Sequence, residues 1–339
     1  MNGVETRKIQ LTGGATYIVS LPKRWAERAG LKPGSDVQLI PQDQHSIVIQ
    51  TAASLEGAEL SKSRMSVDAR TPTEDIVRDF ITQYLAGFDI IQIDLTQAPA
   101  DKRMPIKNAI RSLLIGVEVI NETTDNLTIQ CFLGPASLPF LNAFDRMEVL
   151  VRSMQTDAVT ALITRDKKLA EEVVQRDTEI DRFYFYIVRQ LTVAVDRREL
   201  IQKIGLSSPR ACLDYRQAVK SIERAGDHAT RLAELAASLA LAPDTGHPPA
   251  LLKMHERAES IFQDALESLR ILDVPLAHRT IRRVREVADL EEHGIRTLLS
   301  GEYSIEAVIP LRLAFESLRR IAEYGSDIAE IAINLSVER

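Results

Sequence analysis

Cysteine occurs only twice in 339 residues, at Cys131 and Cys212. In a chain of this length without a secretion signal, two cysteines read as reduced thiols, which excludes a disulfide-stapled secreted scaffold. Aromatic residues make up 5%, with a single tryptophan. No stretch approaches the 18 or more apolar residues of a membrane-crossing helix. The opening MNGVETRKIQ has no apolar signal core. A cytoplasmic location and no membrane-spanning segment are therefore expected. Catalytic signatures are missing too. There is no Ser-His-Asp set, no phosphate-binding P-loop and no dinucleotide fingerprint, so neither an enzyme nor an organic cofactor is expected. Glycine and proline are absent from Phe140 to Ala194.

That long unbroken stretch carries apolar residues at three- and four-residue steps: Met147, Leu150, Val151, Met154, Ala158, Ala161 and Leu162. This is the stripe of a core-facing helix. A second stripe runs Leu169, Val173, Ile180, Tyr184, Ile187 and Leu191. Breaks at GLSSPRA (205–211), APDTGHPPA (242–250), Pro275 and Gly301 divide the remainder into helices. The last 200 residues also repeat themselves in order. AVTALITRD (158–166) recurs as ALESLRILD (265–273), DTEID (177–181) as DLEEH (289–293), and IERAGDHATRLAE (222–234) as LRRIAEYGSDIAE (318–330), at offsets of 107, 112 and 96 residues. Ordered self-similarity indicates a duplicated unit. Residues 140–339 are expected to form two antiparallel three-helix bundles, repeat one over 140–241 and repeat two over 250–339.

Within repeat one, Asp177 and Asp181 stand four apart, as do Glu223 and Asp227. A four-residue step puts both carboxylates on one helix face, where like charges destabilise an isolated helix unless something positive compensates. Two such pairs on facing helices can surround a hard cation, a divalent or iron-type ion. The plain alternative is a solvated acidic face, with Arg176, Arg182 and Arg224 supplying the opposite charge. A di-iron-type enzyme fits poorly, because the residues three before His228 and His293 are Ala225 and Leu290 rather than glutamate.

These doubled motifs resemble the PhoU family of phosphate-signalling regulators, over roughly residues 140–339. The resemblance implies paired three-helix bundles, metal sites at E/D-x-x-x-D motifs, and a role in phosphate uptake. By position it implies Asp177, Asp181, Glu223 and Asp227 as ligands. At the spacing above, repeat two supplies only a degenerate set: Asp289, Glu292, His293 and Glu323, with Arg319 in place of a carboxylate. Arginine stays protonated and cannot ligate a metal. An ion pair from Arg319 to Asp289 or Glu323 is expected to replace the cation there.

Residues 1–52 are a separate module. Short alternating strands flank Gly13-Gly14, and SLPKRWAERAGLKPG places a short helix before a second turn. HSIVIQ forms the last strand, after a QDQ connection. The phrase TGGATYIVSLPKRWAERAGLKPGSDVQLI resembles the AbrB/SpoVT family of swapped-hairpin DNA-binding domains. That implies a homodimer and DNA contact, with Arg7, Lys8, Lys23, Arg24 and Arg28 as the contacting cations. Residues 1–50 hold six Lys/Arg against four Asp/Glu, a charge of +2, in a chain of −6. Residues 55–137 read as an α/β connecting piece: a helix from Thr73, a strand at FDIIQIDL, a helix from Lys102 and a hairpin about Asp125-Asn126. The chain thus reads as multidomain: a β-rich AbrB-like domain, a middle α/β domain and an all-α PhoU-like pair. The function expected is a phosphate-responsive transcriptional regulator. The alternative is an adaptor for a phosphate transporter or sensor protein, dimerised through its first domain.

Overall fold

A computed structural model describes residues 4–41, 44–51, 60–132, 138–197, 199–240, 246–300 and 303–337. The chain divides into two compact units, Met1–Leu60 and Ser61–Arg339.

In the first unit, β1 (Gln10–Thr12) and β2 (Thr16–Ile18) pair antiparallel. The turn between them uses Gly13 at φ 62° and Gly14 at φ 76°, left-handed values that residues with a Cβ rarely adopt. Helix α1 (Lys23–Arg28) follows Pro22 and has no side-chain cap. Strands β3 (Val37–Pro41) and β4 (Ile47–Thr51) make a second hairpin; Gln42 and Asp43 of the expected QDQ connection lie outside the described residues. No described residue of this unit is buried, and Ile9, Leu11, Tyr17, Leu39 and Ile47 each expose more than half their surface.

The second unit opens with a two-layer α/β piece. Strands β5 (Lys62–Ser66), β6 (Ile90–Asp94), β7 (Val117–Glu122) and β8 (Asn126–Cys131) form one sheet in the order β5-β6-β8-β7. The strand β5, polar and unmarked in the sequence, pairs parallel with β6. The helices α2 (Thr73–Leu85) and α3 (Arg103–Leu113) bury Ile76, Phe80, Tyr84, Ile106 and Ile110 against Ile91, Ile93, Leu127 and Ile129.

The bundle follows: α4 (Phe140–Thr164), α5 (Lys167–Asp196), a short α6 (Glu199–Lys203), α7 (Pro209–Leu239), α8 (Pro249–Ile271), α9 (Val274–Leu298) and α10 (Ile305–Ser336). The helices α4, α5 and α7 pack together, as do α8, α9 and α10, and α7 joins the halves through α10. The α/β piece is locked to α5 by one buried arginine. Arg189 donates to the carbonyls of Tyr84 at 2.6 Å and Gly87 at 3.3 Å and pairs with Asp89 at 3.4 Å. Its guanidinium also lies 4.9 Å from the Tyr84 ring centroid.

The structure corrects the register of the repeat. Arg165 and Leu272 end α4 and α8 in the left-handed conformation. The following Asp166 and Asp273 cap α5 and α9 by accepting from the amides of Leu169 and Leu276. All three pairs differ by 107. The same offset relates two buttresses: Arg176 binds Ser153 and Asp157, and Arg283 binds Ser260 and Asp264. For α7 and α10 the matched buried positions differ by 99: Ile222 and Ile321, Gly226 and Gly325, Ala229 and Ile328, Ala233 and Ala332. The offsets of 112 and 96 followed acidic letters. The apolar stripe, which determines packing, follows 107 and 99.

Replacing Arg189 with alanine removes the charged partner shared by two carbonyls and Asp89, which among the described residues keep only their contacts with Ser61, Arg197 and the Gly87 amide. The expected loss is about 2–4 kcal/mol of unfolding free energy. Denaturant titration measures it, and hydrogen exchange should show the loosening concentrated in residues 61–132. Unchanged protection there would mean that apolar packing alone holds the piece in place.

Candidate functional site

Apolar packing brings the two acidic pairs of repeat one together. A Cβ on Gly226 would lie 2.7 Å from the Cδ1 of Ile180, so α5 and α7 approach closely there. Asp177 and Asp181 flank Ile180 on α5, at the i−3 and i+1 positions. Glu223 and Asp227 flank Gly226 on α7 in the same way. Glu223 is buried, Asp177 and Asp181 are half-buried, and Asp227 is the most exposed of the four, with its carboxyl still partly shielded between the helices.

Asp181 and Asp227 both feel neighbouring carboxylates. Burial, then Asp177 and Glu223, push Asp181 up to about 6. Burial, then Glu223 and Asp177, raise Asp227 to about 6 as well. Two interactions soften the repulsion: Thr230 donates to Asp177 at 2.9 Å, and the Lys220 ammonium binds one oxygen of Glu223 at 2.5 Å. The other Glu223 oxygen is buried with no partner. Lys220 also sits 4.9 Å from the centroid of the Tyr184 ring. Sequence reasoning missed Lys220 and named three arginines instead. Arg176 in fact turns to Asp157, and Arg224 lies 6.0 Å from the Tyr324 ring centroid. The signal for Lys220 was its place three residues before Glu223, the reach of an i,i+3 pair. An acidic, oxygen-only donor set with an orphaned buried oxygen is chemically suited to a hard cation. Among the described residues, no three His, Cys, Asp or Glu side chains already stand in a metal-holding group.

Repeat two is arranged differently from the degenerate set expected. Asp289, Glu292 and His293 are exposed on α9, and Glu292 pairs with Arg296 at 2.5 Å. Glu323 is held by Arg320 at 2.5 Å and Arg319 at 3.8 Å. The expected Arg319–Glu323 pair is present, but Arg319 makes its closer contact, 3.0 Å, with Glu291 rather than Asp289. In the corrected register Arg319 and Glu291 occupy the places of Lys220 and Tyr184. The counterparts of Asp177, Asp181, Glu223 and Asp227 are Val284, Ala288, Ala322 and Ser326, none of them a carboxylate.

In the first unit, the cations expected to contact DNA are exposed. Arg7 pairs with Glu5, Lys23 lies 3.8 Å from Glu27, and Arg28 donates to the carbonyl of Arg24. Lys8 and the Arg24 side chain make no such contact among the described residues. Cys131 and Cys212 are free and buried, and burial raises both thiols. No helix among the described residues is long and apolar enough to cross a membrane.

Two three-helix units in tandem, joined face to face, define a duplicated helical-bundle protein. Residues 144–236 and 251–332, more than half the sequence, match the PhoU domain, and the chain belongs to the PhoU family. Residues 10–54 match the family described as antidote-toxin recognition MazE, bacterial antitoxin, an AbrB-like hairpin domain. Similar proteins include a phosphate-specific transport system accessory protein PhoU homolog from Pseudomonas putida. It is 28% identical over 55% of this chain and 73% of its own. The homolog of the same name from Deinococcus radiodurans is 29% identical over 56% and 89%. The phosphate transport system regulatory protein PhoU from Streptococcus pneumoniae shares the fold, with a TM-score of 0.51 at 19% identity, covering 58% of this chain and 93% of that one.

The raised carboxylates give a signed prediction. Their folded pKa lies above the ordinary aspartate value of 3.8, so between about pH 4 and 6 the folded state holds more protons than the unfolded state. Without metal, these groups favour folding least above pH 6, and stability on their account falls as pH rises through that window. Asp181→Asn should therefore raise the urea midpoint at pH 7.5 in chelator, with the gain shrinking towards pH 4. A midpoint lowered at pH 7.5 would mean that the Asp181 charge is stabilised by its surroundings rather than strained.

Proposed function

We propose that this chain is a regulator of phosphate transport that acts as a pair of copies and binds DNA through its N-terminal unit. The observation that carries the reading is one chain joining a tandem PhoU bundle to an AbrB-like hairpin unit. Membership of the PhoU family, and relatives named as accessory proteins of phosphate-specific transport, support the phosphate role. The hairpin unit supports pairing. A segment of this size has little core of its own, and with every described residue at least partly exposed it lacks an interior. A second copy exchanging or stacking hairpins supplies one. Lys8 and the Arg24 side chain, without a partner among the described residues, together with Arg7, Lys23 and Arg28, give this unit the cations that phosphate contact requires.

A second reading keeps the pairing and drops the DNA. The matching family is described by recognition of a protein toxin, which favours a hairpin unit that binds protein. The two readings separate in one experiment on the full chain. Light scattering should give the mass of two copies. Alanine at Arg7, Lys8, Lys23 and Arg24 should preserve that mass and abolish binding to promoter fragments of phosphate-uptake genes, while the parent's affinity falls steeply with salt. DNA binding equal in parent and variant, or absent from both, favours the protein-binding reading. A single-copy mass rejects the pairing.

Cation binding is also part of the proposal. Asp177, Asp181, Glu223 and Asp227 would hold a divalent or trivalent ion, whose charge would offset the burial and the mutual repulsion that together raise Asp181 and Asp227. Repeat two, with Val284, Ala288, Ala322 and Ser326 in those places, would hold none. Calorimetric titration with Mn2+ should give one site per chain, lost in Asp181→Asn/Asp227→Asn while the helical signal persists. Two sites per chain, or no heat at all, would refute it.

A further inference from the structure

The two repeats agree in their buttresses and disagree on one exposed face. Ser153, Asp157 and Arg176 are reproduced as Ser260, Asp264 and Arg283, each 107 residues on, so packing has kept these positions alike. On the outer face of α9, in its first three turns, stand His278, Arg279, Arg282 and Arg285, all exposed. Arg279, Arg282 and Arg285 follow one another at three-residue steps and His278 stands four before Arg282, so the four share one side of the helix. None of the four makes a hydrogen bond or ion pair among the described residues. Their counterparts on α5 are Glu171, Glu172, Gln175 and Thr178, equally exposed. The fold therefore accepts either sign of charge at this place, and no intramolecular contact uses the positive one. Residues 274–285 contain four arginines and no acid, in a chain of net charge −6.

We propose that this face of α9 docks an acidic segment of a partner protein, presenting two or three carboxylates at helical spacing. Arginine suits that partner, because its planar fork takes a carboxylate through two parallel hydrogen bonds. The face is short: from His278 to Arg285 it spans about 10 Å at 1.5 Å per residue. Beyond it the same side of α9 turns acidic, with Glu286, Asp289 and Glu292. An extended anionic surface, a duplex or a lipid leaflet, would press its charges on those carboxylates as well. A local acidic segment meets the basic turns alone. The proposal uses none of the residues assigned above to DNA or to a cation, so it can fail without them and they without it.

The test is fluorescence polarisation of the full chain with a labelled helical peptide bearing glutamate at every fourth position, at low and at physiological salt. Duplex DNA and phosphatidylglycerol vesicles serve as competitors. The parent should bind the peptide in a salt-sensitive way. The triple variant Arg279→Gln/Arg282→Gln/Arg285→Gln should bind at least about tenfold more weakly, a loss of about 1.4 kcal/mol. The triple lysine variant, which keeps the charge, should retain part of the affinity. These side chains are exposed and unpaired, so an unchanged melting curve checks that the fold survives. The N-terminal quadruple alanine variant should bind the peptide like the parent. Equal binding by parent and glutamine variant would overturn the proposal. So would loss of peptide binding in the N-terminal variant, or displacement of the peptide from α9 by DNA or vesicles at lower charge concentration.

Discussion

The contact between Ile180 and Gly226 sets the rest of the candidate site. Glycine leaves no Cβ, and the Ile180 side chain fills the space where one would stand. Because α5 and α7 come so close, the residues one position after and three before that contact are forced together. Those positions are Asp177, Asp181, Glu223 and Asp227. Like charges repel strongly where water is partly excluded, so apolar packing is what holds them in each other's field. Burial first, and that repulsion second, push Asp181 and Asp227 up to about 6. Lys220 and Thr230 meet only part of the demand, and one Glu223 oxygen is left over.

Repeat two shows what the same packing does without that charge. Its helices keep the caps, the left-handed turn and the Ser-Asp-Arg buttress of repeat one. They replace the four carboxylates by small or apolar residues. Arg319 then pairs with Glu291 where Lys220 lay against Tyr184. Gly294 marks another close approach, since a Cβ there would overlap the Phe315 ring. Duplication has kept the parts that close the bundle, and the exposed and site positions have diverged in charge.

The α/β piece rides on the helix that carries half of the site. Arg189 is two turns beyond Asp181 on α5 and is satisfied by carbonyls at the end of α2. Gly87, at φ 90°, lets that end approach Val193, with only 2.8 Å available to a Cβ. Arg189 thereby ties the α/β piece to the same helix that carries Asp177 and Asp181.

The sequence by itself determined the class of each part. The three- and four-residue stripes from Met147 to Leu162 and from Leu169 to Leu191 required core-facing helices, because only that period lines one face of a helix. Gly13-Gly14 required a turn, because it supplies left-handed backbone. The acidic pairs were legible because four residues is one helical turn. Only tertiary structure decided the register of the repeat. Charged letters such as DLEEH copy DTEID by eye, yet side chains on the solvent side exert no pull on packing; Val287 and Gly325 do. It also decided that Lys220, not Arg176, answers the carboxylates, since the choice turns on which side of a helix faces the neighbouring helix. The strand β5 was hidden for a related reason. KSRMS lacks an apolar run, and its place comes from pairing with β6. Arg189 was equally unmarked, because the sequence gives no sign that carbonyls from residues about 100 positions earlier converge on it.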